Sequence, residues 1–295
     1  MNTTEKELIR PVPPHPRDMK RASHFPALVI TARRRGFIPV RELWEFRELL
    51  YFLGWRDIKV RYKQTAIGAA WAVLQPVITM VIFTAIFHRF AKINTGNIPY
   101  PVFAFAGLLP WNLFAGAMQR SIVSLVTSTP LITKVYFPRL IVPIAATFSA
   151  AVDFAIAFAV LVVMGIRYNI LPTWRLVALP LAVGVALLAA VAVGLWLSAL
   201  NVKYRDVGHA IPFLIQVWMF ASPVAYPMGL VPGRWHLLYS ANPMVGAIQT
   251  FRWSLLGGPA PDLRLLAVSF LVTLALLIWG LFYFHRMERT FADVI

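Results

Sequence analysis

Trp55-Arg56-Asp57-Ile58-Lys59-Val60-Arg61-Tyr62-Lys63-Gln64-Thr65-Ala66-Ile67-Gly68-Ala69-Ala70-Trp71-Ala72-Val73-Leu74-Gln75-Pro76 decides the fold of this chain, because a basic segment runs without a linker into a long apolar one. A charged surface helix that feeds straight into an uncharged run marks the start of a membrane span. Upstream, Arg41, Glu45, Glu48, Arg56, Lys59 and Lys63 recur every three or four positions, with Phe52 interrupting, while Leu43, Phe46, Leu50, Leu53 and Val60 fall on another face. That spacing predicts an amphipathic helix over 41–63 lying in the membrane interface. Trp44, Tyr51, Trp55 and Tyr62 suit the headgroup layer, where an apolar ring with a polar edge is best accommodated. Residues 1–40 hold charges and prolines but no apolar core segment, so they are expected to form a basic, Pro-rich cytoplasmic tail rather than a cleavable signal.

Downstream the chain is apolar almost throughout. Of 295 residues, 59% are hydrophobic and 14% charged, and the mean hydropathy of +0.68 is too high for a soluble domain. Runs long enough to cross a ~30 Å hydrocarbon core fall at 66–88, 101–126, 140–166, 176–200, 207–226 and 264–284. The expected fold is therefore all-α and integral to the membrane, with six transmembrane helices in one domain over 64–295. A net charge of +16 would suggest nucleic acid in a soluble protein, but here residues 1–63 alone carry 14 Lys and Arg against seven acids. With the N-terminus inside, 21 cations lie on the inner side and seven on the outer, so both termini are expected in the cytoplasm. The absence of cysteine removes disulfides, thiolate metal sites and cysteine nucleophiles.

Several spans carry residues that lipid alone would not tolerate. Gln75-Pro76 interrupts the first and Pro110-Trp111-Asn112 the second, so these positions are expected to face protein or a cavity. Ala182, Ala186, Ala190, Gly194 and Ser198, at strict four-residue spacing, make a smooth ridge for close helix packing. The fifth run mixes Phe213, Gln216, Trp218, Phe220 and Tyr226 with Pro212 and Pro223, a poor lipid face. Behind it, residues 227–262 are rich in Pro and Gly and include a piece from Met244 to Leu256 that is too short to cross and carries Arg252. A re-entrant helical hairpin is the expectation there, with a seventh span as the rival.

No phosphate loop, His-Glu-x-x-His or Gly-x-Ser-x-Gly occurs, so the sequence offers no seat for nucleotide hydrolysis or the common hydrolytic reactions. The six histidines fall in separate segments, which argues against a metal site, and no cofactor is implied. Asp153 is the only acid near the middle of a span; it must be protonated, hydrogen-bonded or facing water. No partner for it is evident in the sequence, so a structural role is set against ion coupling.

Four motifs in order carry a family resemblance: Arg56-Asp57-Ile58-Lys59-Val60-Arg61-Tyr62 with Gly68, Trp71 and Pro76; Lys134-Val135-Tyr136-Phe137-Pro138-Arg139; Asn201-Val202-Lys203-Tyr204-Arg205-Asp206-Val207; and the stretch from Trp218 to Pro227 followed by Asn242-Pro243-Met244. Together they resemble the permease subunits of ABC-2 type exporters that move O-antigen, capsule and teichoic-acid polymers across the bacterial inner membrane. The resemblance implies a homodimer of six-span subunits bound to two separate ABC ATPase subunits, with a passage for a lipid-linked polysaccharide. It implies that Lys134, Tyr136, Phe137, Pro138 and Arg139 dock the ATPase, that the interface helix bearing Arg56, Asp57, Arg61 and Tyr62 lies at the same boundary, and that the segment after the fifth span folds into re-entrant helices at the external gate. Aromatic faces can pass a sugar chain without gripping it, which makes Trp71, Phe103, Trp111, Phe114, Phe213, Trp218, Phe220 and Tyr226, with Gln216, candidates for the passage wall. A permease for a drug or small lipid, and a stand-alone ion-coupled carrier or channel, remain the alternatives.

Overall fold

The computed structural model describes residues 40–63, 68–96, 98–170, 173–288 and 291. The expected N-terminal tail and the side chain of Arg41 lie outside the described residues. Within them the chain is helix and connecting turn, without a strand. Helices α1 (Val40–Glu45) and α2 (Arg47–Lys63) precede α3 (Gly68–Phe83), which continues as a π-helix over Thr84–Phe90. Then come α4 (Tyr100–Thr127), α5 (Thr129–Lys134), α6 (Ile141–Ala146), α7 (Phe148–Arg167), α8 (Leu179–Lys203), α9 (Asp206–Phe220), α10 (His236–Tyr239), α11 (Pro243–Leu256) and α12 (Leu263–Glu288).

Five stretches are long and apolar enough to cross a membrane: Ala70–Phe90, Tyr100–Thr127, Ile141–Arg167, Trp174–Lys203 and Leu263–Glu288. They coincide with five of the six expected runs. The remaining run, 207–226, is helical only as far as Phe220, and 15 residues rise ~22 Å, short of the ~30 Å hydrocarbon core. Helix α9 gives way there to a turn at Ala221–Tyr226, where Pro223 has no amide hydrogen to continue the ladder.

Helix α4 is the post around which the others stand: 78% of its apolar window is buried, against 11% for the first span. Its closest neighbour is α8, whose small-residue ridge is buried from Ala182 to Ser198. At Gly194 a Cβ would overlap the Ser121 side chain of α4, so the glycine sets how near the two backbones come. The Asn201 amide donates to the Ile122 carbonyl at 3.2 Å, tying the C-terminal turn of α8 to that of α4, and the two helices run parallel. Arg139, before α6, donates to the Glu288 carbonyl at the end of α12. At the other end of α4, the Tyr100 hydroxyl donates to the Ala225 carbonyl, and beside the start of α8 Arg175 reaches the Gly258 carbonyl. Residues 225 and 258 therefore lie at one end of the bundle.

Helix α2 packs Leu49, Leu50 and Leu53, with Leu43 and Phe46 just before it, onto a core containing Ile141 and Phe284. Its outward face is not simply polar. Trp44, Tyr51, Phe52 and Trp55 are exposed there among Glu45, Glu48, Arg56 and Lys59, and Val60, expected on the apolar face, is 58% exposed. Arg47 sits over the Trp44 ring at 5.3 Å and Lys59 over Trp55 at 5.6 Å. Rings interleaved with cations suit a headgroup layer better than bulk water.

Candidate functional site

Asp153, isolated in the sequence, has three partners in the structure. From α7 its carboxylate accepts hydrogen bonds from Arg120 on α4 and from the Tyr62 hydroxyl, and it forms an ion pair at 3.0 Å with Arg61, which like Tyr62 stands at the end of α2. The sequence makes no partner evident because the partners come from other segments, one of them 91 residues away. Burial, together with the hydrogen bond to Asp153 and its charge, pushes the Tyr62 phenol from 10.0 up to about 12. Tyr62 is therefore a donor at physiological pH, and what the raised value contributes to stability is lost only as pH rises from about 10 towards 12. Arg56 and Asp57 instead pair with each other at 2.9 Å on the surface, where such a bridge is worth little.

The charged group borders two cavities. One of about 670 Å³ lies among α3, α4, α7 and α9, with Trp71, Gln75, Trp111, Asn112, Gln119 and Gln216 on its wall beside Arg61, Arg120 and Asp153. The other, about 700 Å³, reaches under α2 and is lined by Arg56, Asp57, Arg61, Arg120, Thr127 and Ser128. Arg61 and Arg120 line both.

The aromatic candidates separate into distinct groups. Trp71, Trp111 and Gln216 line the first cavity. Phe213 and Phe220 are exposed on the outer side of α9. Phe103 and Phe114 are buried in the core and line neither cavity. Trp218 stacks edge-on against Phe114 and donates its indole N–H to Asn242, and Tyr226 hydrogen-bonds Tyr239 and the Phe220 carbonyl.

Those last contacts belong to an arrangement the sequence does not announce. The turn after α9 exposes carbonyls that no helix satisfies, and side chains take them in order, all but Tyr226 from elsewhere in the chain. Tyr226 donates to Phe220, Asn242 to Ala221, Arg252 to Pro223 and Val224, and Tyr100 to Ala225. Irregular backbone at membrane depth persists only where protein satisfies it in this way. Arg252, on α11, is 8% exposed, also donates to the Phe103 carbonyl and lies 3.6 Å from that ring's centre. A Cβ at Gly107 would overlap its guanidinium, so only glycine admits it. Asn242 also accepts from the Met244 amide, capping α11.

The segment after α5 divides sharply. Lys134, Val135 and Tyr136 stand out, with Tyr136 85% exposed. Phe137 and Pro138 are buried, and Arg139 lies over the Phe291 ring as well as bonding Glu288.

Residues 48–256 match the family described as ABC-2 type transporter. The chain is 30% identical over 258 residues to the O-antigen export system permease protein RfbA of Myxococcus xanthus, covering 87% of this chain and 98% of that one. It is 25% identical over 249 residues to the RfbA permease of Klebsiella pneumoniae, covering 84% and 95%. With the polysialic acid transport protein KpsM of Escherichia coli it shares 22% over 227 residues, covering 74% and 86%.

Proposed function

The chain belongs to the ABC-2 type transporter family, as a multi-pass permease subunit that is not itself catalytic, and from that premise we propose that it exports a lipid-linked polysaccharide across the bacterial inner membrane. It acts as a homodimer driven by separate ABC ATPase subunits. The observation that carries the cargo is the 670 Å³ cavity, whose wall of Trp71, Trp111, Gln75, Asn112 and Gln216 is polar and aromatic within an otherwise apolar bundle. Such a wall stacks on sugar faces and offers hydrogen bonds without a tight grip. The relatives, named for O-antigen export and polysialic acid transport, support a glycan over a drug or small lipid. The exposed sides of α3 and α9 flank this cavity, and a second copy placed against them would close a passage.

In this reading α9 is the fifth of six crossings, short because the turn at 221–226 completes it, and residues 227–262 form a re-entrant hairpin. The contacts of residues 225 and 258 at one end of the bundle support a hairpin over a seventh crossing. Helix α2 and Glu288 lie at the opposite end, which the excess of cations near the N-terminus assigns to the cytoplasm. In the cysteine-free background, cysteines placed at Gly233 and Gly257 should react with an impermeant reagent from outside and one at Lys203 only from inside. Opposite faces for positions 233 and 257 would replace the hairpin with a crossing.

The functional test uses Trp71→Leu with Gln216→Leu. Trp71 is 56% exposed and Gln216 is exposed, so the pair should cost little stability, within about 1 kcal/mol. Polymer export in cells carrying the ATPase partner should fall several-fold while ATPase binding persists. Export at the wild-type rate would remove this cavity from the route.

A further inference from the structure

Resting on the reading that the cargo is lipid-linked, we infer that Arg61, Arg120 and Tyr62 form a binding subsite for the phosphate or diphosphate headgroup of a lipid, and that Asp153 fills the anion position when no headgroup is present. Three donors from two separate elements converge on one small anion: both guanidiniums reach Oδ2 of Asp153, and the phenol reaches Oδ1. Guanidinium forks gathered on a compact set of oxygens are what phosphate recognition requires.

A carboxylate does not exhaust this donor set. Arg120 Nη1 is buried and has no hydrogen-bond partner, and a charged donor left in that condition is costly. A phosphoryl group brings three or more acceptor oxygens where a carboxylate brings two, and so can reach it after a small rearrangement of the guanidinium. Position argues the same way. Arg61 and Arg120 stand at the junction of the cavity under α2 and the cavity lined by Trp71 and Gln216, where a headgroup would sit between its lipid tail and a polymer extending inward. No bond is made or broken; phosphate oxygens exchange for the carboxylate, which turns aside into the cavity it already lines.

An ordinary structural salt bridge makes Asp153 and Arg120 equivalent; an anion subsite makes them opposites. The test is thermal unfolding of the full chain, purified with its ATPase partner in neutral detergent, with farnesyl diphosphate, farnesol or phosphatidylglycerol. Farnesyl diphosphate should raise the midpoint by several degrees and farnesol should not. Arg120→Gln should weaken farnesyl diphosphate about tenfold or more and Tyr62→Phe about threefold, since each removes a donor to a charged acceptor. Asp153→Asn should tighten it several-fold by removing the competing anion. Equal competition by phosphatidylglycerol assigns the subsite to bulk anionic lipid, and weak competition to isoprenoid diphosphates; either keeps the phosphate chemistry. The inference is overturned if the diphosphate protects the wild type no better than farnesol, or if Asp153→Asn and Arg120→Gln weaken it alike. Should either variant fail to fold, the farnesol comparison and Tyr62→Phe decide. Polymer export is scored separately: export without headgroup affinity sinks the subsite alone, and headgroup affinity without export of any polymer sinks the cargo.

Discussion

Replacing Arg252 with leucine is expected to leave little or no folded protein in the membrane. Its guanidinium donates to the carbonyls of Phe103 at 3.2 Å and Pro223 at 2.6 Å and to that of Val224, all buried. Leucine fills part of the space and supplies no donor. Leaving three buried carbonyls unpaired costs about 1–3 kcal/mol each, and a total of roughly 5 kcal/mol rivals the 5–15 kcal/mol that holds a typical domain together. The loss also spreads, because the same turn carries the carbonyls held by Tyr100, Asn242 and Tyr226 and fixes the end of α9. Lysine should rescue only in part: its ammonium keeps the charge and three donors but lacks the planar fork that spans two carbonyls and lies over the Phe103 ring. Yield of monodisperse protein and the midpoint of unfolding measure this. A leucine variant that melts within about 2 °C of wild type would mean that the turn does not depend on Arg252.

How Arg252 escapes a reading of the sequence says what such a reading can reach. Apolar length and small-residue spacing are properties of a continuous stretch, so five spans and the ridge from Ala182 to Ser198 are legible without knowing what they touch. The end of the fifth run is legible only in part: Pro223 breaks the ladder from within it, but the turn that follows is held by Asn242, Arg252 and Tyr100, which lie outside the run. Arg252 reads as an outer-loop charge for the same reason: its carbonyl partners lie 28, 29 and 149 residues away. Asp153 reads as an isolated cost in an apolar run, and Arg120 only as one of the cations counted on the inner side. The usable signal is their coexistence, one acid and one base in consecutive spans, since intramembrane charges of opposite sign tend to find each other. Aromatic residues mislead by abundance; Phe103 and Phe114 differ from Trp71 only in which side of a helix faces the core.

The same limit separates two neighbours that look equivalent in Lys134-Val135-Tyr136-Phe137-Pro138-Arg139, and it sets the second large effect. Phe137→Ala is expected to destabilise the protein by about 3–5 kcal/mol, because its ring is 4% exposed within the core shared by Leu53, Ile132, Ile141 and Phe284. Tyr136→Ala, at a site 85% exposed, should leave stability unchanged within about 0.5 kcal/mol and yet lose the ATPase on purification, if the tip of this segment is the docking surface. Loss of the ATPase in a Phe137 variant would therefore report folding, not docking. Retention of the ATPase at wild-type stoichiometry by Tyr136→Ala and by Lys134→Ala would move the docking surface elsewhere. The two neighbours differ because Phe137 is wedged in the core and Arg139 is tied to the Glu288 carbonyl at 2.7 Å, which anchors the segment just behind its exposed tip.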